Sequence, residues 1–280
     1  MMSLGQRNRR IRLVQLAMWA VISLIFSGVE SMGGTADVPE ISPGILMGYL
    51  SRDTLPNSLS ILPPPPNAGS AAFAHDEAVA KTAIAMRGTP RWALAASDAD
   101  IMFPQAAGTF SCSLNAPITE ADTPHLYMLL RRSLTDAGQS TYAAKNNYKR
   151  ARPFAVNKQP ICSPGDRKRL EGDGSYPSGH AAFGWAWALI LSEMAPDRID
   201  AILARGRAFG ESRNICNVHW DSDVVGGRLV GAGVVARLHA DAMFQADLEA
   251  AKAELAAVRA KNLPATRDCA VEAEAMAVRP

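Results

Sequence analysis

Three short stretches concentrate side chains able to hold and attack an anion. Residues 174–180 read GSYPSGH, followed by AAFGWAWALILSEMA (181–195), an apolar run that predicts a buried helix. Pro177, Ser178, Gly179 and His180 then sit at a helix N-terminus. There Ser178 can cap, Gly179 leaves the backbone open to close approach, and free N–H groups suit an anion. Taken alone, the stretch reads more simply as a capped helix beside an incidental histidine. In KNNYKRARP (145–153), Lys145 precedes Arg152 by seven residues. On one continuous helix that is about two turns, so both cations would share a face. The competing reading is a solvated basic face, since Lys149 and Arg150 lie between them. In GESRNICNVHWDSD (210–223), Arg213 precedes His219 by six residues and Asp223 follows it by four. A carboxylate one turn beyond a histidine can accept its Nδ1–H, fix the tautomer and leave Nε2 as a nucleophile. The plainer alternative is a helix-surface ion pair. Together the stretches offer two histidines and three cations to a phosphate-like oxygen cluster. His75, His125 and His239 lack such neighbours and read as structural or surface residues.

The elements that must carry these stretches read as helices. AFAHDEAVAKTAIAM (72–86) has few β-branched residues. PITEADTPHLYMLLRRSLTDAG (117–138) opens with Thr119 and Asp122 and closes at Gly138. DRIDAILARGRAF (197–209) follows Pro196, DVVGGRLVGAGVVARLHADAMF (223–244) is apolar with small residues, and DLEAAKAELAAVRAK (247–261) is amphipathic. No repeat and no alternating strand set stands out, so the expected fold is all-α, a compact single-domain helical bundle. Residues 37–70 form a Pro-rich N-terminal strap containing LPPPPNAGS, 71–262 the domain, and 263–280 a C-terminal tail.

The 280-residue chain is 48% hydrophobic and 20% charged, ordinary for a globular protein. Residues 1–33 resemble an export signal: Arg7, Arg9, Arg10 and Arg12 precede the apolar run LVQLAMWAVISLIF (13–26), with small residues and a cleavage point near 33–36 behind it. Without that segment the net charge falls from +2 to −1, giving no basic field to attract nucleic acid. No later segment has the apolar length of a membrane span, so a soluble, periplasmic or secreted protein with no stable membrane partner is expected. Cys112, Cys162, Cys216 and Cys269 contain no C-x-x-C pair, which argues against zinc. In an oxidising compartment they allow two disulfides with three connectivities.

The three stretches fill the pattern K-x6-RP, PSGH and SR-x5-H-x3-D at Lys145, Arg152-Pro153, Pro177 to His180, Ser212-Arg213, His219 and Asp223. The chain thereby resembles the superfamily of type 2 phosphatidic acid phosphatases and vanadium haloperoxidases. GSYPSGH, LPPPPNAGS and ESRNICNVHWDSD look like the bacterial class A non-specific acid phosphatases, from roughly residue 45 to residue 262. Ala181 stands where that class usually has Thr, and Asn217 and Asp221 replace a common Gly and Gln. These positions flank the site and bear on substrate preference and pH optimum. The resemblance implies an all-helical, exported acid phosphatase that needs no metal and no cofactor and acts on small phosphate esters. Lys145, Arg152 and Arg213, with Ser178 and the Gly179 backbone, would clamp the phosphate. His219 would be the nucleophile backed by Asp223, and His180 the proton donor to the leaving oxygen. A diphosphohydrolase or phosphotransferase would use the same site. A vanadium haloperoxidase would use the cradle for another reaction, but those chains are usually much longer. A homo-oligomer is left open. Finally, if Arg152 and Arg213 converge on one phosphate, Cys162 and Cys216 enter the same neighbourhood, where a disulfide could tie the two loops together.

Overall fold

The apolar run 181–195 supplies the central helix of the fold. The computed structural model describes residues 38–278, which lie within one compact unit beginning at Val38. The expected signal segment lies outside the described residues. The chain opens with a two-stranded antiparallel hairpin, β1 (Glu40–Ser42) and β2 (Ile45–Leu46), turned by Gly44 at φ +78°. Helices follow in order: α1 (Ser58–Ile61), α2 (Ala71–Ala85), α3 (Pro90–Ser97), α4 (Ser111–Leu114), α5 (Pro124–Ser140), α6 (Tyr142–Tyr148) and α7 (Pro153–Asn157). After them come α8 (Arg167–Glu171), α9 (Gly179–Met194), α10 (Ile199–Ile215), α11 (Asp221–Leu238), α12 (Ala242–Ala260) and α13 (Cys269–Ala277). The fold is all-α, with the hairpin as the sheet among the described residues.

Helix α9 packs against α5, α10 and α11, which is why its sequence is apolar all round. Trp187 at its centre is fully buried among Phe110, Phe183 and Phe209, and its indole N–H donates to the Leu130 carbonyl at 3.0 Å. Small residues set the close approaches. A Cβ at Gly227 or Gly231 of α11 would strike the backbone carbonyl of Ser178 or Ala182, and one at Gly184 would strike Phe209. These contacts bring the start of α9 against the start of α11.

Several boundaries differ from the sequence expectation. Helix α5 begins at Pro124, not near Thr119. The hydroxyls of Thr119 and Thr123 instead bond within the preceding turn, which ends where proline suits the first helical position. Helix α10 runs on to Ile215. The apolar stretch 223–244 is split after Leu238, because Asp241 caps a new helix by accepting from Met243 N and Phe244 N. Residues 263–278 include α13, which packs on α3 and is tethered by a Cys112–Cys269 disulfide with Cα atoms 5.4 Å apart. The strap is clamped through Asp136, whose carboxylate accepts from Tyr49 N at 2.9 Å and Leu50 N at 3.0 Å. No helix among the described residues is long and apolar enough to cross a membrane.

Candidate active site

Ser178 caps α9 by accepting from Ala181 N at 3.2 Å, and its own N–H donates to the Asp223 carbonyl at 2.8 Å. The cap of α9 is thus bonded directly to the first turn of α11. Trp220 caps α11, where the Asp223 carboxylate reaches back to accept from Trp220 N at 2.8 Å. His219 therefore lies just before the helix rather than on it. Its Nδ1 still meets Asp223 Oδ2 at 3.3 Å, with both side chains buried. The pair is interior, not a surface ion pair.

On its other edge, His219 Nε2 lies 3.0 Å from Arg152 Nη1. A guanidinium only donates, so Nε2 must carry the lone pair and Nδ1 the proton. The tautomer is fixed from both sides. Burial, then the charges of Arg152, Lys145 and Arg213, hold the imidazole well below its ordinary pKa and thus neutral.

Lys145 and Arg152 meet, but not on a shared helix face as the spacing suggested. Helix α6 ends at Lys149 with φ 44°, and Arg152 starts α7 in extended conformation. The two cations are gathered by the 173–174 backbone and by Asp173. Lys145 Nζ donates to the Gly174 carbonyl at 2.7 Å and sits 3.5 Å from Asp173, while Arg152 Nη2 donates to Asp173 at 3.0 Å. Burial and the neighbouring Arg152 bring the Lys145 pKa down to about 8. Gly174 is required because a Cβ there would press on the Lys145 carbonyl.

Arg213 is fully buried, yet its Nε and Nη2 have no hydrogen-bond partner among the described residues. Burial, then Arg152, brings its pKa down to about 10, so it keeps its charge at neutral pH. A buried guanidinium with idle donors is costly unless an anion satisfies it. Lys145, Arg152, Gly179, His180, Arg213 and His219 all line one cavity of about 830 Å³. Ser178 and Asp223 stand behind that wall rather than on it. The His180 ring lies near Phe183 and stacks on Phe209, and its Nε2–H donates to the Ala99 carbonyl at 3.2 Å, leaving Nδ1 as the free ring nitrogen. Burial and the Arg213 charge hold His180 well below its ordinary pKa. The remaining histidines stay out of the cavity lining: His75 sits 3.4 Å from Asp221, His239 3.1 Å from Glu193, and His125 on α5. Among the described residues no group of three or more His, Cys, Asp or Glu is placed to hold a metal ion.

The structure pairs Cys162 with Cys216, Cα atoms 4.6 Å apart, joining the segment after α7 to the loop after α10. Asp173, Arg150 and Asp76 escaped the sequence reading. Asp173 lies in a Gly-Asp-Gly turn six residues before Gly179, a weak signal. Arg150 reads in sequence as part of a basic face, but its side chain is nearly buried and pairs with the buried Asp76 of α2, which no motif marks.

A cradle of three cations beneath a neutral, oriented histidine can bind a phosphoryl group and attack it. Comparison with known proteins agrees. Residues 124–245 match the model of the PAP2 superfamily. A non-specific acid phosphatase of Providencia stuartii is 44% identical over 212 residues, covering 75% of this chain and 86% of that protein. An acid phosphatase of Zymomonas mobilis is 41% identical over 218 residues, covering 78% and 83%. A non-specific acid phosphatase of Salmonella typhimurium is 40% identical over 223 residues, covering 76% and 89%. The motif, the helical fold and this similarity over most of the chain place the protein in the PAP2 superfamily, among the bacterial non-specific acid phosphatases.

Proposed function

We propose that this acid phosphatase is an exported enzyme that cleaves phosphate monoesters through a phosphohistidine on His219. The observation that carries the reading is the fixed His219 tautomer on the cavity wall, with Nδ1–H toward Asp223 and an unprotonated Nε2 that accepts from Arg152, itself one of the phosphate-holding cations. Lys145, Arg152 and Arg213 hold the non-bridging oxygens, joined by N–H groups at the start of α9. The N–P bond forms from Nε2 as the P–O bond to the leaving group breaks, and His180 gives that oxygen its proton. Asp223 balances the charge that develops on the His219 ring. Water then attacks phosphorus, His180 takes its proton, and the N–P bond breaks to release phosphate. The cavity is far larger than a phosphate group, which suits varied leaving groups. Export rests on the Arg-rich, apolar segment 1–33.

Alkaline quench of the enzyme with labelled monoester, followed by peptide mass spectrometry, tests the intermediate. Label is expected on His219, and His219→Ala should lose at least about a thousandfold in kcat. Label elsewhere, or near-normal turnover in the variant, overturns the assignment. Activity is expected to survive EDTA and to be inhibited competitively by vanadate. Loss in EDTA that a divalent ion restores would refute metal independence.

A further inference from the structure

Arg150 lies between Lys145 and Arg152 but outside the defined motif positions. Its side chain is nearly buried, and both terminal nitrogens of the guanidinium are engaged. Nη1 donates to Asp223 Oδ1 at 2.7 Å and to Ser222 Oγ at 2.7 Å, while Nη2 donates to Asp76 Oδ2 at 2.7 Å. Asp76, buried on α2, also accepts from Ser222 N at 2.8 Å and Ser222 Oγ at 2.7 Å. The Arg150 side chain lies over Trp220, the cap of α11, at 5.5 Å from the ring centroid. We propose that Arg150, anchored by Asp76, is a positioning residue that keeps Asp223 ionised and turned toward His219.

The division of oxygens on Asp223 carries the inference. Oδ1 is taken by Arg150, which leaves Oδ2 for Trp220 N and His219 Nδ1. A carboxylate this deeply buried favours its protonated form, and burial does raise the Asp223 pKa, with Arg150 the largest opposing influence. Lys145 and Arg152 add positive charge at longer range, Tyr176 faces Asp223 from the loop before α9, and Asp76 stands behind Arg150. Without Arg150, Oδ1 is the vacated position where a proton would settle. Asp223 would then be neutral when the His219 ring becomes positive. Arg152 still fixes the tautomer, so the loss falls on stabilisation of the charged ring and not on nucleophile orientation.

The inference rests on His219 as nucleophile, and the experiment separates the two. Arg150→Met leaves Asp76 and Asp223 as uncompensated buried charges and can fail to fold. Arg150→Met with Asp76→Asn removes the cation together with its rear counter-charge. In that double variant the acidic limb of kcat/KM should move up by about one pH unit, roughly a tenfold loss below the limb and much less at the optimum. Arg150→Lys should hold the limb near its wild-type position. Adding Asp223→Asn should make the Arg150 change nearly silent, because its target is gone. An unmoved limb with equal loss at every pH, or losses that multiply on Asp223→Asn, would mean a plain packing role and overturn the proposal. Neither result bears on whether label is trapped on His219.

Discussion

His180 and His219 line the same positive cavity, and the proposed mechanism gives them opposite parts. A nucleophile must be neutral, and burial with three surrounding cations secures that for His219. A proton donor must be charged, and the same surroundings work against it at His180. A bound phosphate dianion resolves the conflict, since its charge offsets the cations and lifts the His180 pKa. The sign follows. In free enzyme His180 carries its proton only below its ordinary range, so kcat/KM should fall as pH rises through a low value. In the substrate complex the pKa is raised, so the alkaline limb of kcat should lie at higher pH than that of kcat/KM. Steady-state profiles from pH 4 to 8 measure both. Coincident limbs would show that substrate does not set the charge of His180. At this scale the sequence was readable where the chemistry is local: Arg213, His219 and Asp223 lie within eleven residues. Arg150 and Asp173 were not, because burial of a charge is decided by partners far along the chain, such as Asp76, 74 residues from Arg150.

Helices α9 and α11 bring the two histidine stretches together, and glycine makes the approach possible. Helix α11 carries Gly226, Gly227 and Gly231, and the latter two face the backbone at the start of α9. Helix propensity argues against so many glycines, at a cost near 1 kcal/mol each relative to alanine, so the packing must favour them. A methyl group at Gly231 would meet the Ala182 carbonyl, which cannot turn aside within a helix. Gly231→Ala should therefore destabilise by about 1–3 kcal/mol and lower kcat, as the Ser178–Asp223 contact loosens. Gly138→Ala in α5, where nothing stands within 4 Å, should be neutral or stabilising by up to about 1 kcal/mol. Thermal melts of both variants check the contrast. Helix existence was legible from apolar runs, while joints were not. The break at Lys149 that turns Arg152 into the cavity gives no periodic signal, and the joint at Asp241 is hidden inside an apolar stretch.

At the scale of the whole molecule, two disulfides close very different loops. Cys112–Cys269 spans 157 residues and fastens α13, whose Glu272 accepts from Arg205 at 3.2 Å within a buried group that includes Asp98 and Ser212. Cys162–Cys216 spans 54 residues and joins the two segments that carry Arg152 and Arg213. Around it Phe154 N donates to the Asn217 carbonyl at 3.2 Å, and the Asn157 and Asn217 side chains bond to each other at 2.8 Å. Loop-closure entropy makes the longer bridge the greater stabiliser, each contributing about 2–5 kcal/mol. Proximity to the cavity makes the shorter one matter more for catalysis. Replacing Cys112 and Cys269 by Ser should lower Tm with kcat/KM nearly preserved at 25 °C. Replacing Cys162 and Cys216 by Ser should lower Tm less but reduce kcat/KM several-fold, because Arg152 and Arg213 lose a common tether. Peptide mapping without reductant establishes which bridges form in the purified protein, and melting curves with kinetics on each variant rank them. If the Cys162 and Cys216 variant keeps full kcat/KM, the surrounding hydrogen bonds and the apolar cluster of Phe154, Ile161, Ile215 and Val218 hold the two arginines in place unaided.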